Sequence, residues 1–187
     1  MYQLRRLSAL ALSLAITSLL FSPIPAAAAQ EDNMPLPLSS ASALLMEKET
    51  GTILLQQNAH QKLEPASVPK VMTLLLVMEA VDSGRLSLDE PVPVSAHAAG
   101  MGGSQVYLKE GERLSVSDLI KCVAVVSGND CAVALAERLS GSESAFVDQM
   151  NQKAQALGME DTHFVNCTGL PAPGHLTSAY DIALMSR

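Results

Sequence analysis

Apolar and polar positions divide the chain into a leader, a connecting segment and a folded region. Arg5 and Arg6 precede an apolar segment over residues 7–21, and four alanines follow at 26–29. This order is typical of a secretory signal peptide, and the apolar segment is shorter than the roughly 20 residues that a membrane span needs. An uncleaved anchor is the alternative. The predicted segments are a signal peptide over 1–29, a linker over 30–40 and a folded region over 41–187.

Two apolar runs at the start of the folded region, 41–47 and 52–57, are separated by a polar turn that ends in Gly51, and this pattern predicts a β-hairpin. Longer apolar runs that begin at a serine or aspartate predict helices. These helices are expected at 67–84, 115–126, 130–139 and 142–158, and from 178 to the last residue. The other segments are expected as an irregular stretch at 85–94, a small-residue stretch at 96–103 with a flexible loop at 102–104, and short extended pieces at 106–108 and 162–165.

The helix over 67–84 carries a pair of side chains that could perform chemistry. Its apolar run leaves it almost no polar face, so we expect a buried core helix. Ser67 and Lys70 lie one turn apart on one face of it. Because Pro69 is tolerated only in a first turn, Ser67 lies at or near the N-cap, where backbone N–H groups stabilise negative charge. Burial would lower the pKa of Lys70 and make its amine a proton acceptor. A Ser-x-x-Lys match alone is common by chance, and an N-cap serine without chemistry is equally ordinary.

Charge and cysteine content exclude several function classes. After removal of the predicted signal peptide the chain carries about nine net negative charges and no cluster of basic residues, which argues against a nucleic-acid partner. Three cysteines cannot all pair, and we expect Cys122, Cys131 and Cys167 to be buried thiols rather than a disulfide framework. No spacing of His or Cys residues indicates a zinc site, and no cofactor is expected.

A second chemical element is the sequence Ser127-Gly128-Asn129, which lies between two apolar runs. In isolation it is an ordinary turn between helices. Combined with Ser67 and Lys70 it becomes a more specific signal. Penicillin-binding proteins and class A β-lactamases typically have a Ser-x-x-Lys helix start followed by a Ser-x-Asn corner in an exported chain. The pair of elements therefore favours a serine acylation site over two unrelated turns.

The chain resembles the D-alanyl-D-alanine carboxypeptidases, which are low-molecular-mass penicillin-binding proteins of the β-lactamase/transpeptidase superfamily, over nearly all of its folded region. The matching segments are 65–73 (PASVPKVMT), 103–112 (GSQVYLKEGE), 127–130 (SGND), 162–170 (THFVNCTGL), 175–179 (HLTSA) and 181–183 (DIA). The resemblance implies an α/β fold of the β-lactamase/transpeptidase type. The chain would hold the N-terminal β-hairpin and the helical subdomain, while the C-terminal strands of the antiparallel sheet are missing.

Carried over residue by residue, the resemblance implies that Ser67 is the acylated nucleophile and Lys70 the base that takes its proton. Ser127 would relay a proton toward the leaving group, and Asn129 would hold the substrate amide and orient Lys70. The implied activity is removal of the terminal D-alanine from peptidoglycan stem peptides that end in D-Ala-D-Ala, through an acyl-enzyme. β-Lactam antibiotics would be covalent inhibitors, and the location would be the cell envelope or periplasm, outside the cytoplasm.

Two departures from the family pattern limit what the resemblance implies. Pro69 stands where the family often has a hydroxyl residue, and we expect it to perturb the site without abolishing it. The Lys-Thr-Gly element of the family is absent from the sequence. We therefore expect an N-terminal part of a longer protein, inactive as 187 residues alone, with membrane association only through the missing part. The alternatives are a β-lactamase or peptidoglycan endopeptidase of the same fold, and an inactive wall-binding fragment.

Overall fold

Six helices and four short strands form the regular structure of residues 38–187, which is the part of the chain that the computed structural model describes. The predicted signal peptide and most of the predicted linker lie outside the described residues. In chain order the elements are β1 (Ala43–Met46), β2 (Ile53–Gln57), α1 (Pro69–Asp82), β3 (Pro91–Pro93), α2 (Ala96–Ala99), β4 (Arg113–Ser115), α3 (Val116–Val126), α4 (Asn129–Ser140), α5 (Glu143–Ala156) and α6 (Ala179–Ser186). Within residues 38–187, none of the helices has the length and apolar character needed to cross a membrane.

The predicted β-hairpin is confirmed. Strands β1 and β2 pair antiparallel with Ala43 opposite Gln57, and the register shifts between Leu45 and Met46. Gly51 has a φ of 73° in the turn, a left-handed conformation that glycine adopts without steric cost. A two-stranded hairpin is marginally stable by itself. Helix α6, from the far end of the described chain, packs against β1 and supports it.

Three of the predicted helix starts are confirmed by their caps. The side chains of Ser115, Ser142 and Ser178 each accept a hydrogen bond from the backbone N–H three residues later, and α3, α5 and α6 begin at the next residue. Such a cap satisfies one of the first N–H groups of a helix, which have no acceptor within the helix itself. These boundaries are therefore properties of the local sequence.

The most buried helix is α4, whereas the sequence predicts a buried core helix at α1. Every residue of α4 from Asn129 to Ala136 is buried, and the helix packs against α1, α2, α3 and α5. Its small side chains allow these neighbours to approach closely. Helix α1 buries Met72, Leu76 and Val77, but its other face is open and leaves Val71 41% and Met78 39% exposed. The expectation of a buried core helix therefore holds for only part of α1.

A second small sheet occurs where the sequence predicts an irregular stretch. Strand β3 pairs antiparallel with β4, and Val92 is buried between the exposed residues Pro91 and Pro93. Proline has no N–H to donate, so it occurs in strands chiefly at edges, and this accounts for the mistaken prediction. Within the stretch of small residues, for which the sequence predicts no regular element, residues 96–99 form the short helix α2, capped by Ser95.

The extended piece predicted at 106–108 is not a strand, and the one at 162–165 is limited to a single bridge between His163 and Leu176. The N–H groups of Val106 and Leu108 donate to the Asp130 carboxylate instead of to a neighbouring strand. That carboxylate is fully buried and also accepts from the N–H of Cys131. Asp130 thus holds the segment over 106–108 against the start of α4.

Replacing Asp130 by alanine is expected to reduce the free energy of unfolding by about 3–5 kcal/mol, because three backbone N–H groups lose a charged acceptor. Urea denaturation followed by circular dichroism measures this loss. Asp118→Ala is the matched control, since that carboxylate is solvent-exposed on α3, and it should cost much less. Equal losses in the two variants would contradict the anchoring role of Asp130.

The three cysteines are free thiols, as the sequence predicts. Cys131 and Cys167 are fully buried, whereas Cys122 is only partly buried. Burial raises the pKa of the Cys167 thiol well above its ordinary value, and the nearby Glu143 carboxylate raises it further. Cys167 is therefore a neutral hydrogen-bond donor in the fold.

Candidate active site

Ser67 lies in the turn that leads into α1. The helix begins at Pro69 with Val68 as its N-cap, so Ser67 stands one residue before the cap, close to its predicted position. The preceding residue, Ala66, has a φ of 47°, which is the left-handed region that residues with a side chain seldom adopt. Ser67 is solvent-exposed. The strained turn therefore presents a hydroxyl at the surface beside the first turn of the helix.

Lys70 lies beneath this hydroxyl. Its Nζ is 3.3 Å from Ser67 Oγ and donates a 2.8 Å hydrogen bond to the carbonyl oxygen of Thr168. Lys70 is only 5% exposed. Burial lowers the pKa of its amine, and the nearby Cys167 partly offsets this effect. The predicted contact of a serine with a desolvated lysine is confirmed by these distances.

The Thr168 carbonyl belongs to a tight loop over residues 166–170 that packs against the serine turn. Asn166 Oδ1 accepts hydrogen bonds from the N–H and hydroxyl of Thr168 and from the N–H of Gly169. Gly169 has a φ of 86°, and a side chain there would overlap the carbonyl group of Ala66. The loop and the serine turn are thus in direct backbone contact, which positions the Thr168 carbonyl under Lys70.

The family resemblance includes this loop but assigns it no role. Thr168 contacts Lys70 through its main-chain oxygen. Every residue type has this atom, so the identity of residue 168 does not predict the contact. The available signal was Asn166 followed by Gly169, since asparagine closes turns onto its own backbone and glycine tolerates positive φ. That signal indicates a tight turn, but it does not indicate which side chain the turn meets.

The Ser127-Gly128-Asn129 corner joins α3 to α4. Ser127 ends α3 in the left-handed conformation, with φ 59° and ψ 37°, and is partly buried. Asn129 is 3% exposed, and its Nδ2 donates a 2.6 Å hydrogen bond to the Gly102 carbonyl oxygen. Its Oδ1 is buried with no hydrogen-bond partner among the described residues. One end of the Asn129 amide is therefore held by the fold, while the acceptor end is free.

Ser127→Gly is expected to stabilise the fold by about 1 kcal/mol, because glycine relieves the left-handed strain at this position. Thermal or urea unfolding measures the gain. Ser127→Ala is the matched control: it removes the hydroxyl but keeps the strain, so its stability should stay near that of the parent chain. If alanine stabilised the fold as much as glycine, strain would not be the cause.

A cavity of about 360 Å³ opens between the serine turn and the corner. It is lined by Ser67, Asn129 and the loop residues Thr168 and Gly169 among others. The structure thus brings Ser67 and Asn129 to one cavity, with Lys70 hydrogen-bonded behind Ser67. Ser127 is not among the lining residues, and no hydrogen bond joins Asn129 to Lys70 within residues 38–187. The suggested roles of Ser127 and Asn129 stay predictions.

His175 is a lining residue to which the sequence assigns no role. It is 1% exposed, and neither ring nitrogen has a hydrogen-bond partner among the described residues. Its ring meets Phe164 edge-on at 6.1 Å between centroids. Burial lowers the pKa of the imidazole, and the neighbouring His163 adds to this effect. The cavity wall at this point is therefore a neutral imidazole.

Comparison with known proteins finds a family model and relatives that match most of this chain. The family model described as D-alanyl-D-alanine carboxypeptidase matches residues 27–187. The D-alanyl-D-alanine carboxypeptidase DacF of Bacillus subtilis is 45% identical over 178 residues, which is 94% of this chain and 46% of that protein. The chain spans about half the length of the curated relatives that it matches.

Solved structures give the same result for the fold. The crystal structure of the D-alanyl-D-alanine carboxypeptidase DacD from Francisella tularensis matches with a TM-score of 0.79 and 42% identity, covering 81% of this chain and 37% of that one. Penicillin-Binding Protein D2 from Listeria monocytogenes, solved in an ampicillin-bound form, matches with a TM-score of 0.71 and 35% identity, covering 81% and 61% of the two chains. The predicted fold class is confirmed by these matches.

Proposed function

The chain belongs to the D-alanyl-D-alanine carboxypeptidase family, and we propose that it carries the nucleophile and the general base of a serine-type D-Ala-D-Ala carboxypeptidase. The observation that carries this proposal is the distance of 3.3 Å between Lys70 Nζ and Ser67 Oγ, together with the burial of Lys70, which is only 5% exposed. A serine hydroxyl is a weak nucleophile until an adjacent base takes its proton. A desolvated amine within hydrogen-bond reach meets that need.

The proposed reaction proceeds in two steps. In the first, the neutral Lys70 amine takes the proton of Ser67, and Ser67 Oγ attacks the carbonyl carbon of the penultimate D-alanine. The peptide bond to the last D-alanine breaks, and that residue leaves as an amine after gaining a proton. In the second step, water attacks the ester on Ser67 and releases the shortened peptide. The acyl-enzyme thus divides one difficult hydrolysis into two easier steps.

We further propose the roles of Ser127 and Asn129 that the family resemblance implies. Asn129 lines the same cavity as Ser67, and its Oδ1, which has no hydrogen-bond partner among the described residues, suits a substrate amide N–H. The proton that the leaving amine gains would come through Ser127. The evidence for this role is weaker than that for Asn129, because Ser127 is close to Asn129 in the chain but does not line the cavity. A β-lactam would acylate Ser67 as a mimic of the D-Ala-D-Ala end.

Export to the cell envelope is part of the same proposal. It rests on the signal-peptide pattern over residues 1–29 and on the location of peptidoglycan outside the cytoplasm. The linker over 30–40 and the partial peptidase domain over 41–187 are likewise proposed from the sequence. Mass spectrometry of the secreted or periplasmic protein tests the cleavage site, and an N-terminus at Gln30 is expected.

The activity is tested with the complete gene product and a pentapeptide that ends in D-Ala-D-Ala. Release of one D-alanine, detected by mass spectrometry, is the expected result, together with slow turnover of penicillin. Fast penicillin turnover without peptide trimming would overturn the proposal in favour of a β-lactamase. Cleavage of cross-linked stem-peptide dimers in place of the pentapeptide would indicate an endopeptidase. Absence of both reactions and of penicillin labelling would leave a wall-binding role.

The rate of Ser67 acylation is expected to rise with pH through the pKa of Lys70, because the amine accepts a proton only when it is neutral. Burial lowers that pKa from the ordinary lysine value of about 10.4, so the rise should be complete at a lower pH than an exposed lysine permits. Labelling rates with a fluorescent penicillin over a pH series measure the profile. A rise centred on the ordinary lysine pKa would contradict Lys70 as a desolvated base.

A further inference from the structure

Glu143, at the start of α5, joins three groups outside the cavity. Its Oε2 lies 2.8 Å from His97 Nε2. Its Oε1 accepts hydrogen bonds from the backbone N–H of Cys167 at 3.2 Å and from the Cys167 thiol at 3.3 Å. The Glu143 side chain is 17% exposed and Cys167 is fully buried. One carboxylate thus fixes both the main chain and the side chain of a single loop residue.

The other side of the same loop residue is fixed by α1. Thr73, which is fully buried one turn after Lys70, donates its hydroxyl hydrogen to the Cys167 carbonyl oxygen at 2.8 Å. The next carbonyl along the chain, that of Thr168, accepts the 2.8 Å hydrogen bond from Lys70 Nζ. Cys167 is therefore held at its N–H by Glu143 and at its C=O by Thr73, immediately before the carbonyl that binds Lys70.

We propose that Glu143 is a positioning residue for Lys70, acting through Cys167 to hold the Thr168 carbonyl where it binds the Lys70 amine. The proposal rests on the proposed function in so far as Lys70 is the base. If the Glu143 anchor is lost, the N–H of Cys167 has no acceptor and the loop can move away from α1. Water then reaches Nζ, and the distance from Nζ to Ser67 Oγ is no longer fixed.

Direct charge is not the route of this effect. Burial lowers the pKa of Lys70, and loss of a nearby negative charge alone would lower it further, whereas loss of the loop's position admits water and raises it. Cys167 is the titratable group that faces both side chains, and its raised pKa keeps it a neutral donor to Glu143. His97 faces Glu143 from the solvent side, 55% exposed. The influence of Glu143 on Lys70 therefore runs through the hydrogen bonds of residues 167 and 168.

Glu143→Ala and Glu143→Gln separate positioning from bulk packing. Glutamine keeps an oxygen that accepts from the Cys167 N–H and adds a donor for His97, whereas alanine keeps neither. The matched control is Glu79→Ala, because Glu79 is a carboxylate that binds the other end of α5 through Lys153 at 2.7 Å. Each variant is made in the complete gene product. Two readouts are taken: amide hydrogen exchange over residues 166–170, and the pH profile of labelling by a fluorescent penicillin.

In Glu143→Ala, exchange at Cys167 should accelerate, labelling should fall by about tenfold or more, and the rise with pH should move upward toward the ordinary lysine pKa. Glu143→Gln and Glu79→Ala should keep the parent exchange and pH profile. Unchanged exchange in Glu143→Ala would overturn the proposal whatever the activity. An unchanged pH profile in Glu143→Ala, with the parent protein labelled, would also overturn it. A parent protein that is never labelled would count against the proposed function, and exchange would then test only whether Glu143 holds the loop over residues 166–170.

Discussion

Ser67→Ala is expected to abolish covalent labelling of the complete gene product by a fluorescent penicillin, because Ser67 is the proposed nucleophile and the acyl bond would form to its hydroxyl oxygen. Lys70→Ala should reduce the labelling rate by about 10²–10⁴, which is the usual contribution of a positioned general base. The physical basis is the 3.3 Å separation of the two side chains and the burial of the lysine. In-gel fluorescence over a time series, with thermal unfolding measured alongside, gives both rates.

Matched controls come from positions away from the cavity. Ser83→Ala replaces the residue that follows the last turn of α1, and Lys153→Ala replaces the lysine that α5 pairs with Glu79. Both controls should be labelled at the parental rate. Labelling that persisted in Ser67→Ala would move the nucleophile elsewhere, and full-rate labelling of Lys70→Ala would remove the lysine from the mechanism.

The parts of the fold that the sequence predicts correctly are those that neighbouring residues decide. Ser115, Ser142 and Ser178 each cap the helix that follows them, so the starts of α3, α5 and α6 can be read from a few residues. The hairpin depends on two apolar runs and a glycine turn. The contact between Ser67 and Lys70 is local for the same reason, since the turn in which the Lys70 N–H donates to the Ser67 carbonyl oxygen brings these two residues together.

The features that the sequence does not predict depend on partners far along the chain. The β3 strand exists because residues 91–93 meet residues 113–115. The segment at 106–108 looks like a strand, but its N–H groups bind the Asp130 carboxylate. The acceptor beneath Lys70 is a backbone carbonyl 98 residues away. No periodicity encodes a contact of this kind, so the candidate site could be predicted as a pair of side chains but not with its supporting loop.

Gly169→Ala is expected to damage both stability and acylation. An alanine Cβ at this position would overlap the carbonyl group of Ala66 and lie 3.1 Å from Pro69 Cδ, and the φ of 86° adds left-handed strain. Because Ala66 and Pro69 lie on either side of Ser67, either the segment that presents Ser67 or the loop must shift. We expect a loss of about 3 kcal/mol or more in the free energy of unfolding and a fall of about 100-fold in the labelling rate.

Gly174→Ala is the control that separates contact from strain. Gly174 has a φ of 81°, close to that of Gly169, but an alanine Cβ there would meet no atom within 4 Å apart from those of its chain neighbours. This variant should lose only about 1–2 kcal/mol from strain and keep nearly the parental labelling rate. If the two variants lost activity equally, backbone strain would explain the result. A large loss confined to Gly169→Ala would establish that the backbone contact between the loop and the serine turn maintains the geometry on which Ser67 and Lys70 depend.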